Sequence, residues 1–445
     1  MTQITTGKAE KINLLSFKAP HMRAFHITWM TFFICFFGWF GIAPLMPIIR
    51  EELHLTKGQI GNIIIASVSI TIFARLLIGW LCDKIGPRLT YTSLLVFGSL
   101  PVMFIGLSHS YESFLLFRLA IGVIGASFVI TQFHTSVMFA PNIVGTANAT
   151  VAGWGNLGGG ITQMVMPLIF AMFVSLGYAP HLAWRYSMVV PGIALLIMAF
   201  IYYFYTQDTP EGSILENRKK NALITSNKKE KGTGIMSILK DYRVWILFLV
   251  YGCCFGIEIT IDNIAVLYFV DSFHIGMFQA GIIASVFGMM NIFARALGGI
   301  FSDRASLRYN SKGRVYVLAS FLLFEGLGMM LFSQMNQLPL AIAAMILFAF
   351  FVKMSNGATY SIVPFINKKN IGIVSGIVGA GGNLGAVLAG FVFKSEGISY
   401  QQGLFMIGCF VALVSFTIYL IKLPDFKITQ EKIDREGEEV VLEVS

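Results

Sequence analysis

The stretch IFARLLIGWLCDKIGPR at residues 72–88 occurs a second time, in changed form, as IFARALGGIFSDRAS at residues 292–306. Each copy places an arginine inside an apolar run and an aspartate near the end of that run. The aligned pairs are Arg75 with Arg295, Gly79 with Gly299, and Asp83 with Asp303. A repeat that keeps its direction over such a wide separation indicates a fold built from two similar halves.

The apolar composition of the chain indicates a membrane protein. Of 445 residues, 56% are hydrophobic and only 12% are charged, whereas soluble domains contain about 25% charged residues. A helix of about 20 apolar residues spans the hydrocarbon core of a bilayer, and uniform runs of this length exclude a transmembrane β-barrel. The sequence predicts twelve such helices, numbered 1 to 12, at residues 25–49, 57–82, 89–108, 112–139, 145–173, 183–205, 242–270, 276–302, 314–335, 338–363, 371–394 and 400–422.

A second repeat pairs helix 5 with helix 11. AGWGNLGGG at residues 152–160 corresponds to GAGGNLGAV at residues 379–387, which places Asn156 opposite Asn383. Both repeats relate a helix to the sixth helix after it, as expected for two six-helix halves around an axis along the membrane normal. The predicted domains are an N-terminal segment (1–24), a first six-helix bundle (25–205), a linker (206–241), a second six-helix bundle (242–422) and a C-terminal tail (423–445).

The distribution of charge favours a membrane surface over nucleic acid as the partner of this chain, whose net charge is +9. Lysine and arginine are concentrated before helix 1, in the linker, and in the loops that follow helices 8 and 10, while the loops on the other side contain few. By the positive-inside rule, both termini and the linker lie on the cytoplasmic side of a cell membrane. The five cysteines lack the spacing of a metal site, so we expect no metal and no cofactor.

The repeated stretches resemble motifs of known transporters. GWLCDKIGPR at residues 79–88 resembles the loop 2–3 motif of the major facilitator superfamily, and GGIFSDR at residues 298–304 is similar to its weaker second copy. The two Gly-Asn stretches, around Asn156 and Asn383, resemble the two nitrate signatures of the nitrate/nitrite porter family.

Helix 7 narrows this resemblance to one branch of the family. Its sequence YGCCFGIEITIDNIAVLYF, at residues 251–269, is most similar to the high-affinity nitrate transporters of plants and fungi. The resemblance covers residues 25–422, and the chain lacks the long central loop of eukaryotic relatives, which is typical of a bacterial member. It implies an all-α membrane protein with the twelve-helix major facilitator fold. The residues that match the gating motif are Gly79, Asp83, Gly86, Arg88 and Asp303.

The resemblance implies secondary active transport of nitrate, and of nitrite, across the bacterial cytoplasmic membrane by alternating access, as part of nitrate assimilation. The expected partners are these anions, protons and the lipid bilayer, and the expected functional unit is a monomer. No Walker A motif and no nucleophile–base pair stand out, so we do not expect an enzyme. The alternatives are nitrate/nitrite antiport, a major facilitator carrier for another small anion such as an organic phosphate, and a nitrate sensor that does not transport.

Arg75 and Arg295 are the strongest candidates for anion binding. Arginine stays protonated, and its place within a membrane helix is costly unless it faces a cavity or a partner. Arg75 lies about 12 Å inside the helix end marked by Asp83, at about 1.5 Å per residue, which is too deep to reach water easily. The repeat predicts two guanidinium groups facing each other across a central cavity, and their planar forks suit the coplanar oxygens of nitrate. In the family the matching arginines bind nitrate; the alternative is a salt bridge that locks the halves.

Asn156 and Asn383 are the next candidates, because a buried amide needs hydrogen-bond partners and glycine neighbours supply no side chains. The alternative for the glycines, such as Gly159 and Gly160, is close packing of helices. The resemblance also implies that three aromatic residues line the site. The predicted substrate contacts are therefore Arg75, Arg295, Asn156, Asn383, Gly155 and Gly382, together with the aromatic residues Phe128, Tyr251 and Phe255.

Carboxyl groups within the helices are candidates for proton coupling, since intramembrane acids commonly form proton relays. Glu258 and Asp262 lie on one face of helix 7, and we expect them to support proton symport in preference to nitrate/nitrite exchange, because arginine cannot titrate. The alternative for each of these acids is a structural hydrogen bond, which for Asp262 would be with Asn263 or a neighbouring helix. Glu325 of helix 9 and Lys353 of helix 10 are expected to neutralise each other, with a part in coupling left open.

Overall fold

A computed structural model describes residues 7–140, 143–213, 235–367 and 371–423 of the chain. Within these residues, twelve helices are long and apolar enough to cross a membrane, in agreement with the predicted number. We label them α1 (Pro20–Glu52), α2 (Lys57–Ile85), α3 (Pro87–Leu107), α4 (Tyr111–Met138), α5 (Thr146–Ser175), α6 (Pro180–Tyr205), α7 (Tyr242–Phe273), α8 (Met277–Ser306), α9 (Ser311–Ser333), α10 (Leu338–Ile366), α11 (Ile373–Lys394) and α12 (Tyr400–Leu420).

Several sequence predictions concern residues outside these ranges. The lysine and arginine residues at 218–231, which support the cytoplasmic placement of the linker, lie outside the described residues, as do Lys368, Lys369 and the tail after residue 423. The described end of the linker forms a short helix, Ile235–Leu239, before α7 begins.

The two halves of the molecule meet along crossed pairs of helices. Helix α2 of the first half packs against α11 of the second, and α5 packs against α8. At the α5–α8 contact the backbones come so close that a Cβ added to Gly160 would lie 2.5 Å from the Cα of Gly288. Only glycine permits this approach, so packing between the halves accounts for Gly160.

The regular helix of α1 is interrupted before its C-terminal turns, and the interruption positions a buried arginine. Its regular α-helical part ends at Phe40, and a 3-10 turn, Ala43–Leu45, includes Pro44, which has no N–H to donate. The guanidinium of Arg118 on α4 donates to the carbonyl of Trp39, in the last turn of this regular helix, at 3.0 Å. A cation at the carboxyl end of a helix is stabilised by the helix dipole, which helps to explain how Arg118 is buried with no acidic partner among the described residues.

The bundle is closed between its halves at one end. We call the end where α1 begins and α12 finishes the terminal end, and the opposite end the far end. At the far end, Arg50 of α1 forms a two-point ion pair with Asp271 of α7, at 2.6 and 2.8 Å, and Lys57 donates to the carbonyl of Ile398. At the terminal end, the hydrogen bonds and ion pairs that join two described residues stay within one half.

The residues that match the gating motif lie at this terminal end. Gly86 has a φ of 88° and closes the tight turn between α2 and α3; Asp208 packs beside it and accepts a hydrogen bond from the backbone N–H of Arg88 at 2.9 Å. The side chain of Asp83 is exposed. In the second copy, Asp303 pairs with Arg314 of α9 at 2.5 Å. In each copy of the motif, these contacts are therefore made with residues of the same half.

Candidate anion-binding site

Arg75 extends from α2 of the first half toward α11 of the second. Its guanidinium is 8% exposed and donates to the backbone carbonyl of Gly379 at 2.8 Å. In the amide orientation that satisfies both groups, the side-chain oxygen of Asn383 accepts from Nε and Nη1 of Arg75 at 3.3 and 3.1 Å. The ring of Phe128 lies 5.4 Å from the guanidinium carbon. Arg75 therefore joins the two halves, and no carboxylate pairs with it among the described residues.

Arg295 occupies the related position on α8 but has different neighbours. It is 9% exposed, and its Nη2 lies 3.5 Å from a carboxylate oxygen of Glu258. Its Nε has no hydrogen-bond partner among the described residues, and its guanidinium carbon lies 5.8 Å from the ring centre of Phe255. Part of its hydrogen-bonding capacity is thus free for a ligand.

Two tyrosines lie within electrostatic range of both arginines, and one of them was not predicted. Tyr251 of α7 and Tyr360 of α10 each interact with both guanidinium groups, and their rings are 5.1 Å apart in an edge-to-face contact. Tyr251 also stacks on Phe255 at 5.1 Å. The aromatic side chains that line the site therefore include one from α10. Tyr360 could have been found from its spacing to Asn356, because the two polar residues lie one helical turn apart within an apolar helix.

The glycines of α11 leave space for these aromatic side chains. A Cβ on Gly382 would lie 2.6 Å from the ring of Phe255 and 3.0 Å from that of Tyr251, distances that force one of the groups to move. A Cβ on Gly379 would lie 3.4 Å from both Arg75 Nη1 and the Tyr360 hydroxyl. Gly382 is thus positioned to seat the aromatic rings, and its predicted contact with substrate remains a prediction.

Asn156 differs from Asn383 in its hydrogen bonding. Asn156 is 1% exposed, and within the described part of the chain neither its amide oxygen nor its amide nitrogen has a partner. Asn383, in contrast, can satisfy its oxygen with Arg75. An unsatisfied buried amide carries a desolvation penalty, so of the two asparagines, Asn156 is the one with unused capacity for a bound anion.

Most of the glycines of α5 are explained by packing against α1 and α8. A Cβ on Gly155 would overlap the ring of Phe32, and one on Gly158 would overlap the backbone of Phe33. Gly159 has a less crowded environment: its Cβ would lie 3.1 Å from the carboxylate of Asp262 and 3.3 Å from the ring of Phe40. The contact that the sequence predicted between Gly155 and the anion remains a prediction.

Glu258 is the centre of a buried network in the second half. Its carboxylate lies 2.8 Å from the ammonium of Lys353 and accepts hydrogen bonds from the amides of Asn291 at 2.8 Å and Asn356 at 2.7 Å. The expected pairing of Lys353 with Glu325 is therefore wrong. Both acids are on helices next to α10, and only the packing of α7 against α8 and α10 places Glu258 closer to the lysine.

Asp262, one turn further along α7, has a different environment. Its side chain is 4% exposed, faces Gly159 of the other half, and forms no hydrogen bond or ion pair with a described residue. The proposed alternative, a structural bond of this side chain with Asn263 or with a neighbouring helix, does not form among the described residues; the Asn263 amide instead donates to the carbonyl of Ile259 and accepts from Arg118. Gln163 of α5 donates to the backbone carbonyl of Asp262 at 2.7 Å, which fixes α7 against α5.

The chain is similar to known transporters over most of its length. The Major Facilitator Superfamily profile matches residues 28–390. The chain is 41% identical over 421 residues to "High affinity nitrate transporter 2.5" of Arabidopsis thaliana, covering 94% of this chain and 83% of the relative. It is 29% identical to "Nitrate/nitrite transporter NrtP" of Picosynechococcus, over 81% of this chain and 83% of the relative.

Solved structures of other transporters share the fold. A bacterial homologue of the human lysosomal transporter Spinster, solved in an inward-facing, unoccupied conformation, superposes with a TM-score of 0.71 at 15% identity, covering 91% of this chain and 97% of the other. At this identity the match concerns the fold alone. With a matching profile over most of its length and relatives above 30% identity, the chain belongs to the major facilitator superfamily and, within it, to the nitrate/nitrite porter family.

Proposed function

We propose that this protein transports nitrate, and also nitrite, across the cell membrane by alternating access. The observation that carries the proposal is the pair of buried arginines, one from each half, with a single carboxylate, Glu258, bonded to either of them among the described residues. Because Lys353 also pairs with Glu258, this carboxylate does not neutralise both arginines, and the remaining positive charge favours a bound anion. The names of the relatives, nitrate and nitrite transporters, agree with this chemistry.

The lining of the site favours a small planar anion over an organic phosphate. A tetrahedral phosphate needs further cationic donors, and the lysine that lies near the site, Lys353, is already paired with Glu258. The other neighbours of the arginines are aromatic rings and amides: Phe128, Tyr251, Phe255, Tyr360 and Asn383. Apolar faces exclude water and strengthen the attraction between a guanidinium and an anion.

The orientation follows from charge. We place the terminal end on the cytoplasmic side, because it carries the described basic residues Lys8, Lys11 and Lys18 before α1, Arg304 in the last turn of α8 and Arg308 after it. The far end, closed by Arg50 and Asp271, then faces outward. Transport requires the halves to separate at this end and to close at the other, with the arginines remaining at the centre.

The coupling that we propose is proton symport. Glu258 and Asp262 are the acids nearest to the site on α7, and their environments assign them different parts. Glu258 is held by two amides and two cations, which stabilise its charge, so it serves to orient Arg295. The side chain of Asp262 forms no hydrogen bond or ion pair with a described residue. It lies at the contact between the halves, where movement of α5 changes its surroundings.

Nitrate uptake into proteoliposomes tests the substrate and the coupling together. With the wild-type protein, an inward proton gradient should drive accumulation of labelled nitrate in the absence of internal nitrite. Internal nitrite without a proton gradient should give little stimulation. The reverse result, no response to the gradient and strong stimulation by internal nitrite, would establish antiport instead; failure to move either anion, with uptake of a phosphate ester, would contradict the substrate assignment.

A further inference from the structure

Glu325 is a buried acid for which the arginine site has no use. It lies in α9, it is fully buried, and neither of its carboxyl oxygens has a hydrogen-bond partner among the described residues. A carboxylate without a partner in such surroundings is strongly disfavoured. Burial without an ion-pair partner among the described residues favours the protonated form of Glu325 in this arrangement of the helices.

The groups that face Glu325 include one cation and one further acid. On α12, Gly408 and Ala412 pack against Gly326, the residue next to Glu325, and α8 contacts α9 through the rings of Phe301 and Phe321. The titratable or polar groups within electrostatic range, on α7 and α10, are Cys253, Cys254, Glu258, Lys353 and Ser355. Because the cysteines and the serine are neutral, the charge state of Glu325 depends on Lys353 and Glu258.

Lys353 lies between two acids that differ in their other partners. Its ammonium is 2.8 Å from Glu258 and 4.3 Å from the ring centre of Phe287. Glu258 also has two amide donors and Arg295, so it keeps stabilising partners if Lys353 moves away. Among the described residues, Lys353 is the cation that acts on Glu325, so we expect Glu325 to ionise when Lys353 approaches it.

We infer that Glu325 binds the transported proton and that Lys353 connects it to the anion site by moving between Glu258 and Glu325. The inference rests on the proposed proton symport. When nitrate occupies Arg295, Glu258 keeps Lys353, and Glu325 remains protonated. When the site is empty, Arg295 moves closer to Glu258, Lys353 pairs with Glu325, and the carboxyl proton passes to water. Nitrate and proton then favour each other's binding, and the effect is reciprocal.

Proton uptake by the purified protein tests this inference directly. Nitrate is added to wild type in weakly buffered detergent solution with a pH indicator. The wild type should take up about one proton per nitrate bound, whereas Glu325→Gln should bind nitrate with similar affinity and take up none. Glu112→Gln, the same substitution at the exposed start of α4, should behave as wild type.

Transport in proteoliposomes provides the second measurement. Glu325→Gln should keep nitrate–nitrate counterflow, which needs no net proton movement, and lose gradient-driven accumulation by about tenfold or more. Unchanged proton uptake or unchanged accumulation in Glu325→Gln would overturn the inference, and so would the loss of both in Asp262→Asn alone.

The outcomes for the inference and for the proposed symport are distinct. The symport proposal is contradicted if nitrate uptake by wild type does not respond to the proton gradient and is stimulated by internal nitrite. The inference is contradicted if the gradient drives nitrate uptake by wild type and by Glu325→Gln equally well. Should Glu325→Gln fold poorly, infrared spectroscopy of wild type offers another test: nitrate should shift the midpoint at which a buried carboxylic acid band disappears to higher pH. A midpoint unaffected by nitrate would contradict the inference.

Discussion

Arg75 and Arg295 occupy equivalent positions in the two repeats, yet their surroundings are chemically different. Arg75 bonds to a backbone carbonyl and an amide of the opposite half, Gly379 and Asn383. Arg295 faces an acid of its own half, Glu258, which a lysine also neutralises. The sequence shows the origin of the difference: CFFG at residues 35–38 of α1 aligns with CCFG at residues 253–256 of α7, so Phe40 takes the place of Glu258.

This difference separates two tasks that a symmetric site would combine. The arginine of the first half joins the halves, so a ligand that takes its donors also changes the contact between α2 and α11. The arginine of the second half belongs to an acid–base network, so a ligand that takes its donors changes the balance of buried charge. We therefore expect anion binding to influence the movement of the halves through Arg75 and the protonation state through Arg295.

The largest effect should come from replacing either arginine with lysine. Lysine keeps the charge but loses the two-point fork, and the loss of two charge-assisted hydrogen bonds corresponds to about 1000-fold in transport rate. Initial rates of nitrate uptake by Arg75→Lys and Arg295→Lys in proteoliposomes measure the effect, with the elution profile on size exclusion as a control for folding. Near-normal uptake in either variant would rule out the two-arginine site.

The next largest effect should be a loss of thermal stability caused by a substitution in the second half. Glu258→Gln removes the carboxylate that Lys353 and Arg295 share and should cost about 3 kcal/mol of stability. The double variant Glu258→Gln, Lys353→Met should regain most of this loss, because neither charge remains. Thermal unfolding in detergent measures both. Additive losses in the double variant would show that the two side chains do not interact.

A smaller effect should distinguish the two asparagines from a packing glycine. Asn156→Ala removes an amide with unused hydrogen bonds, and nitrate affinity or turnover should fall about tenfold, as for the loss of one hydrogen bond to a charged ligand. Gly159→Ala, whose added Cβ meets Asp262 at 3.1 Å, should reduce transport less. Asn383→Ala should act mainly through the position of Arg75. Equal and mild effects of Asn156→Ala and Gly159→Ala would assign this stretch to helix packing alone.

The smallest effect should come from the far-end ion pair. Arg50 and Asp271 are about one quarter exposed, and a pair of this kind contributes about 0.2–1 kcal/mol. Asp271→Asn should therefore enlarge the population that is open at the far end by a factor of about 1.4–5. Distances between spin labels at the far ends of α1 and α7 report this population. Asp241→Asn, which removes an ion pair with Arg243 inside one half, is the matched control and should leave the distances unchanged.

The residues of the centre could be predicted from the sequence to different degrees. The arginines and asparagines were predicted because the repeat marks them, and a charged or amide side chain within an apolar run has few roles. Tyr360 was missed because an aromatic residue in a membrane helix is ordinarily part of the packing. The pairing of Lys353 with Glu258 was missed because helices α7 and α9 both offer an acid to α10, and sequence spacing carries no distance between helices.

The sequence by itself determined the membrane location, the twelve helices, the two-half organisation and the identity of the central arginines. These follow from hydrophobic length, charge distribution and an internal repeat, all of which are local properties of the chain. Only the tertiary structure decided which charges meet and which acids are left alone. Helix packing sets side-chain distances to within a few tenths of an ångström, and a buried charge is stabilised or destabilised over that same range. The shared fold therefore fixed the positions of the two arginines, and the packing around each one made them different.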